Sequence, residues 1–259
     1  MIIKKIISTL IFVLAMTTGN AHAGLIGLWE FNDNKDAMGN FGDLQQRGTN
    51  ISNGSLNLRN TTWASAVNYT GPLITEKTLV SWVSLDNLSV RNGSVLTIDT
   101  LNRDVFDGIV WAERRTNQWM AGSNNFSRTQ DINNSTPTVV NQEHMVAISY
   151  RLLGTSGVQI SLYIDGILQG SYSQGGIASF GINNTEILFG ARHTIGGRAI
   201  GPNISGSISE ARIYDVALSG SEIAALRVGG ASAQPASAPT TIVLFSMALL
   251  SFFRLRSKI

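Results

Sequence analysis

The chain contains no cysteine, which removes disulfides, thiolate zinc sites and cysteine nucleophiles together. Stability must then come from packing, with a bound cation as the remaining staple. Histidine is nearly absent as well, occurring only at His22, His144 and His193. No Gly-x-Ser-x-Gly elbow accompanies them, so a serine-type triad lacks its scaffold, and His144 reads as a packing residue. A third absence concerns paired carboxylates. None of Glu30, Glu76, Glu113, Glu143, Glu186, Glu210 or Glu222 is followed two residues later by Asp. Side chains two apart on a strand share a face, and a sugar-cleaving acid pair built on one strand needs that spacing. Glycoside hydrolysis by that route is disfavoured.

The basic pI near 9.0 belongs to the chain ends. Lys4 and Lys5 precede an apolar run from Ile6 to Met16, and Ala21-His22-Ala23 supplies the small residues a signal peptidase accepts. Residues 1–23 therefore read as a secretory signal. Gly229 to Thr241 is small and flexible, Ile242 to Phe253 is apolar, and Arg254, Arg256 and Lys258 close the chain. Linker, short apolar helix and basic stop are the parts of a membrane anchor, and the run is shorter than the ~20 residues of a full span. Removing both ends takes away five of the 19 basic residues and none of the 17 acidic ones, leaving a net charge of −3. With no Lys/Arg stripe left to neutralise phosphates, a nucleic-acid partner is excluded.

Between the ends, apolar and polar residues alternate in short runs. Val158, Ile160, Leu162 and Ile164 alternate with Gln159, Ser161 and Tyr163, the pattern of a strand with one buried face. Asp165-Gly166 tolerates the positive φ of a tight primed turn, so Ile167 to Tyr172 is expected to return antiparallel. Further strands are expected at Leu25–Phe31, Ser55–Arg59, Ala64–Val67, Lys77–Leu85, Ser94–Asp99, Gly108–Glu113, Gln118–Ala121, His144–Leu152, Glu186–Ala191 and Gly206–Tyr214. Lys77–Leu85, β-branched and aromatic, belongs in the middle of a sheet. Asn32 to Gly48 and Asn124 to Asn141 read as loops. Only Ser219 to Leu226 reads as helix, with Ser219 and Glu222 spaced as a capping box. These spacings predict an all-β fold, two antiparallel sheets packed as a sandwich.

Several blocks in order carry a resemblance. They are Gly27-Leu28-Trp29-Glu30-Phe31, Asp36-Ala37-Met38-Gly39-Asn40, Thr78-Leu79-Val80-Ser81-Trp82-Val83, His144-Met145-Val146-Ala147, Leu162-Tyr163-Ile164-Asp165-Gly166 and Gly206 to Tyr214, closing on Ala217-Leu218-Ser219. Together they resemble the laminin-G-like, concanavalin A-like jelly-roll family over residues 24–228. The resemblance implies a two-sheet jelly roll and places a structural Ca2+ between the loop after the first strand and the last strand, with Asp36, Asn40 and Glu210 as its ligands. Carboxylates and loop carbonyls suit that hard cation. The tail resembles the PEP-CTERM sorting signals of bacteria: Ser237-Ala238-Pro239-Thr240 stands where that family has Pro-Glu-Pro, with a helix and terminal arginines following. That implies an exosortase-type partner.

For an organic ligand, the segment Trp111 to Trp119 offers two indoles with Arg114 and Arg115, the aromatic face and planar donors that hold sugar rings. Two arrangements are open there: a ligand site using Trp111, Arg114 and Trp119, or core indoles on paired strands with the arginines at a solvated turn. Arg192 to Arg198 is a second candidate through His193 and Arg198, equally compatible with a plain connection. The expectation is an exported, surface-associated, non-catalytic module for carbohydrate or extracellular polymer. Two rivals remain: a divergent polysaccharide-acting enzyme using Glu113 with Asp107 or Asp99, and a structural matrix protein without a discrete ligand.

Overall fold

The structure is a computed structural model that describes residues 24–229 apart from Asn102. The expected signal (1–23), the linker beyond Gly229 and the apolar tail (242–259) lie outside the described residues. No helix among the described residues is long and apolar enough to cross a membrane.

Among the described residues, sixteen strands, one α-helix and one short 3-10 helix (Asn124–Phe126) make up the fold. In chain order the first eight strands are β1 (Leu25–Trp29), β2 (Gln45–Arg47), β3 (Asn50–Ser52), β4 (Ser55–Leu58), β5 (Trp63–Ala66), β6 (Lys77–Leu85), β7 (Gly93–Thr100) and β8 (Phe106–Trp111). After them come β9 (Trp119–Ser123), β10 (Glu143–Leu153), β11 (Gly157–Ile164), β12 (Ile167–Gly176), β13 (Thr185–Gly190), β14 (His193–Ile195), β15 (Arg198–Ile200) and β16 (Gly206–Tyr214), and α1 (Gly220–Gly229) closes the domain. An eight-stranded sheet runs β12-β11-β10-β6-β16-β4-β3, with β1 also paired to β16. A six-stranded sheet runs β2-β5-β13-β7-β8-β9, and β14 and β15 form a separate two-stranded ribbon. All strand pairs within the named sheets are antiparallel. The two-sheet sandwich expected from the sequence is the fold.

Alternation built these sheets. On β6, Leu79, Val83 and Leu85 enter the core between the sheets, while Val80 and Trp82 join a second apolar cluster. The inter-sheet core is unusually aromatic: Trp29 meets Phe189 edge-on at 5.4 Å, and Trp111 meets Trp119 at 4.8 Å. Such pairs add specific geometry to the burial of large apolar area. A buried cluster of charged groups crosses this interior. Lys77, fully buried, reaches Asp107 at 3.2 Å, and Arg128 approaches the same carboxylate at 2.7 Å. Burial pulls the Lys77 amine below its ordinary value, Asp107 pulling the other way.

The Asp165-Gly166 turn is primed as expected, with φ of 52° and 78°, and Ile164 pairs with Ile167. Its hairpin nevertheless lies toward the rim of the sheet, with β12 as the edge strand, and β6 stands at the middle of the path. The capping box on α1 is also formed: Ser219 N–H donates to Glu222 Oε2 at 2.7 Å, and Glu222 N–H donates to Ser219 Oγ at 3.3 Å. Sequence patterning missed β2, β3 and the β14–β15 ribbon, which lie in segments too short and polar to show a period.

Candidate functional site: a polar groove across the eight-stranded sheet

β16 is flanked by two strands end to end: β4 pairs with its first half through Ser207↔Asn57, and β1 with its second through Arg212↔Leu28. Its outer face changes character between those halves. Over the β1 half, Val80, Trp82, Met145, Ala147, Tyr163 and Tyr214 form an apolar patch that Leu218, Ile223 and Leu226 cover. Over the β4 half, the register lines up Glu143, Ser84, Ser207, Asn57 and Asn50 across five adjacent strands. At roughly 4.8 Å per strand this row spans about 19 Å.

Ser84, Ser207, Asn57 and Asn50 of that row floor a groove of about 660 Å³, whose walls include Arg59, Asp86 and Asn141. Amides, hydroxyls, one guanidinium and one carboxylate give it donors and acceptors of both kinds. No aromatic residue lines it. Gly206 opens the row at φ 148°, where a Cβ would meet Ser84 O at 2.1 Å. Only glycine allows β16 to approach β6 this closely. At the seam between the halves, Arg212 lies 4.9 Å over the Trp82 ring and its Nε donates to Glu210 Oε1. Burial pushes the Glu210 carboxyl up to about 7; Arg212 opposes the shift, and Glu30 and Glu143 add to it.

The sequence-derived site residues fare differently. Trp111 and Trp119 are 0% exposed. Their indole N–H groups are spent on Leu88 O at 3.3 Å and Thr138 Oγ1 at 2.9 Å. They are core residues on the paired strands β8 and β9, so neither offers a ring to a ligand, which corrects that expectation. Arg114 stands on the turn between them, 2.9 Å from Asp131 and 5.2 Å over the Phe126 ring. Arg198 is exposed on β15 opposite Ile195. His193, 4% exposed, is held by Asp99 and lines a small pocket of its own. His144 is structural: Nδ1 bonds Asp165 Oδ2 at 2.8 Å, and Nε2 accepts the Val139 N–H at 3.1 Å.

The calcium ligands do not fit a cation. Asp36 Oδ1 accepts the N–H of Leu28 and Met38 at 2.8 and 3.0 Å, and Oδ2 accepts those of Asn40 and Phe41 at 2.9 and 3.1 Å. All four lone-pair positions of the carboxylate are filled by backbone donors. Asn40 Nδ2 donates to Ile26 O at 2.9 Å, which holds that amide within the turn, and the Glu210 carboxylate is taken by Arg212. Among the described residues, no three His, Cys, Asp or Glu side chains gather as a metal site. The acids of the enzyme rival do not converge either. Asp107 pairs in register with Ile98 on the core side, the adjacent Asp99 faces outward, and Glu113 binds Arg192.

The profile of the concanavalin A-like lectin/glucanases superfamily matches residues 52–224. The chain belongs to that superfamily. Among solved structures, domain 4 of AbnA, a GH43 extracellular arabinanase from Geobacillus stearothermophilus determined with arabinotriose, is 19% identical over 78% of this chain and 97% of its own, with a TM-score of 0.58. The receptor-binding domain of botulinum neurotoxin C/D mosaic serotype is 15% identical over 80% of this chain, with a TM-score of 0.55, and this chain spans 52% of it. The serotype D binding domain gives 14%, 80%, 52% and 0.55 in the same terms. At these identities the likeness establishes the concanavalin A-like fold. No curated protein matches the chain.

Proposed function

We propose that the chain is an exported, non-catalytic carbohydrate-binding module that holds a neutral polysaccharide in the groove over β6, β16, β4 and β3. The observation that carries this reading is the row from Ser84 to Asn50, a run of polar side chains left uncovered on a sheet whose other half is sealed. A mixed set of amides and hydroxyls matches sugar hydroxyls, each of which both donates and accepts. With Arg59 and Asp86 the charged groups of its wall, the groove favours an uncharged polymer. The arabinotriose bound to the AbnA domain supports the ligand class, and that enzyme's extracellular setting agrees with residues 1–23 acting as a secretory signal. We assign 24–228 to the binding domain, 229–241 to a linker and 242–259 to a variant PEP-CTERM-type helix through which the module is sorted to, or held at, the cell surface.

Retention of the full-length protein on insoluble polysaccharides, arabinan included, tests the reading. Ser207→Tyr places a ring in the groove floor and is expected to lower retention at least about tenfold, the effect of losing one or two good polar contacts. Unchanged retention moves the site elsewhere. Release of reducing sugar by the wild type overturns the non-catalytic assignment.

A further inference from the structure

The six-stranded sheet has an outer face of its own, and there the chain buries a polar cluster. Asp99 on β7 lies directly opposite Glu186 on β13, and opposite Phe106 on β8. The β14–β15 ribbon folds over this spot. His193 Nδ1 bonds Asp99 Oδ2 at 2.8 Å, Thr194 N–H donates to the same oxygen at 3.1 Å, and Thr194 Oγ1 donates to Glu186. The Phe106 ring stacks on the imidazole at 5.3 Å. Gly196 and Gly197, both at positive φ, supply the tight turn that lets the ribbon bend back.

Every group in this cluster is satisfied except one. His193 Nε2 is buried and has no hydrogen-bond partner. The nearest acidic oxygen is Asp104 Oδ1, 3.6 Å away on a side chain 50% exposed. A buried polar atom without a partner is costly, so one in a native site asks for a ligand or an ordered water. The position has room for one: a pocket of about 200 Å³ lined by Arg103, Asp104, His193, Thr194, Ile195 and Gly196. Around the imidazole, Asp99, Glu186 and Asp104 supply acid and Arg103 supplies base.

We propose that this pocket is a second binding site, separate from the groove, that takes a single neutral sugar unit with one hydroxyl seated between His193 Nε2 and Asp104 Oδ1. Two hydrogen-bonding atoms 3.6 Å apart can share one hydroxyl oxygen, which donates its proton to the carboxylate and accepts from Nε2–H. Asp99 fixes the ring with Nδ1 as donor, leaving Nε2 to face the ligand. Protonation of Nε2 is favoured: burial works to lower the His193 pKa, and Asp99, Asp104 and Glu186 together raise it above the ordinary value. A neutral ligand is chosen because three carboxylates face the imidazole, which disfavours an added anion. Ile195 and Gly196 give the apolar wall, and the volume is below that of a drug-sized site, which limits the occupant to one unit. Because the groove and this pocket lie on opposite outer faces of the sandwich, both can be filled at once.

Only the ligand class rests on the carbohydrate reading of the groove. The test follows the imidazole 15N resonances of the full-length protein while L-arabinose, D-galactose or D-glucose is added to millimolar concentration. We expect a saturable shift at His193 Nε2 with at least one sugar and none at His144. Asp104→Ala, at an exposed position that spares the fold, is expected to weaken that binding about tenfold. Ser207→Tyr in the groove is expected to leave it unchanged. A silent His193 with all three sugars, or an affinity unaltered by Asp104→Ala, overturns the proposal. Polymer retention alongside a silent His193 sinks the pocket alone. A His193 shift without polymer retention upholds the pocket and sinks the groove.

Discussion

One face of one sheet carries two unlike surfaces. Over β1 and the second half of β16, Trp82, Tyr163 and Tyr214 are roofed by Leu218, Ile223 and Leu226 and behave as core. Over β4 and β3, the same strands present serines and asparagines to an open groove. Both halves share their hydrogen-bonded backbone, so the difference is made by side chains and by the apolar segment that the chain places after β16. The apolar half supplies stability, since area removed from water scales with free energy, and the polar half keeps its hydroxyls and amides open to solvent along the groove. Arg212 joins the two, stacking on Trp82 on one side and binding Glu210 on the other.

The comparison predicts opposite outcomes for mutations a few residues apart. Trp82→Ala empties the roofed half and is expected to cost about 3–5 kcal/mol in chemical denaturation. Asp36→Ala comes next, at about 2–3 kcal/mol, because four backbone N–H groups on the turn carrying Met38 against the apolar half lose their acceptor. EDTA is expected to leave the Tm of the wild type unchanged, since that turn is held by the carboxylate itself.

At the seam, Glu210 provides a pH signature. Its folded pKa, raised to about 7, lies above that of an unfolded glutamate, so the unfolded state releases its proton first as pH rises. The stability it contributes is present in full below about 4.5 and is lost as pH climbs to about 7. Glu210→Gln is expected to remove on the order of 2 kcal/mol of that decline, read as a flatter Tm profile between those limits. A profile identical to the wild type would show that Arg212 keeps Glu210 ionised throughout. The smallest effect belongs to the open half. Arg59→Ala is expected to change stability by less than about 0.5 kcal/mol while lowering polysaccharide retention severalfold.

Much of this architecture was legible in advance because each signal was local. The Asp165-Gly166 turn, the Ser219–Glu222 capping box and the bounds of β6 and β16 follow from backbone preferences and from alternation along a single segment. The groove was not legible for the opposite reason. Ser55, Asn57 and Arg59 alternate with Leu56 and Leu58, which says that one face of β4 is polar, yet nothing in that run names Ser207 and Ser84 as its neighbours. The indoles mislead for a related cause: a tryptophan flanked by arginines has the same local pattern whether its ring lines a pocket or, like Trp111 and Trp119, packs between sheets.

The sequence by itself determined an all-β fold, the Asp165-Gly166 turn, the capped helix and the polarity of the longer strands' faces, because side-chain period and dihedral preference act over a few residues. Tertiary structure alone decided which faces were covered and which polar atoms were left without a partner. The row from Glu143 to Asn50 exists only in the register of five strands drawn from distant parts of the chain. The unpartnered His193 Nε2 exists only because a ribbon was folded over Asp99. Both depend on long-range pairing, in which a slip of one residue moves every side chain to the other face.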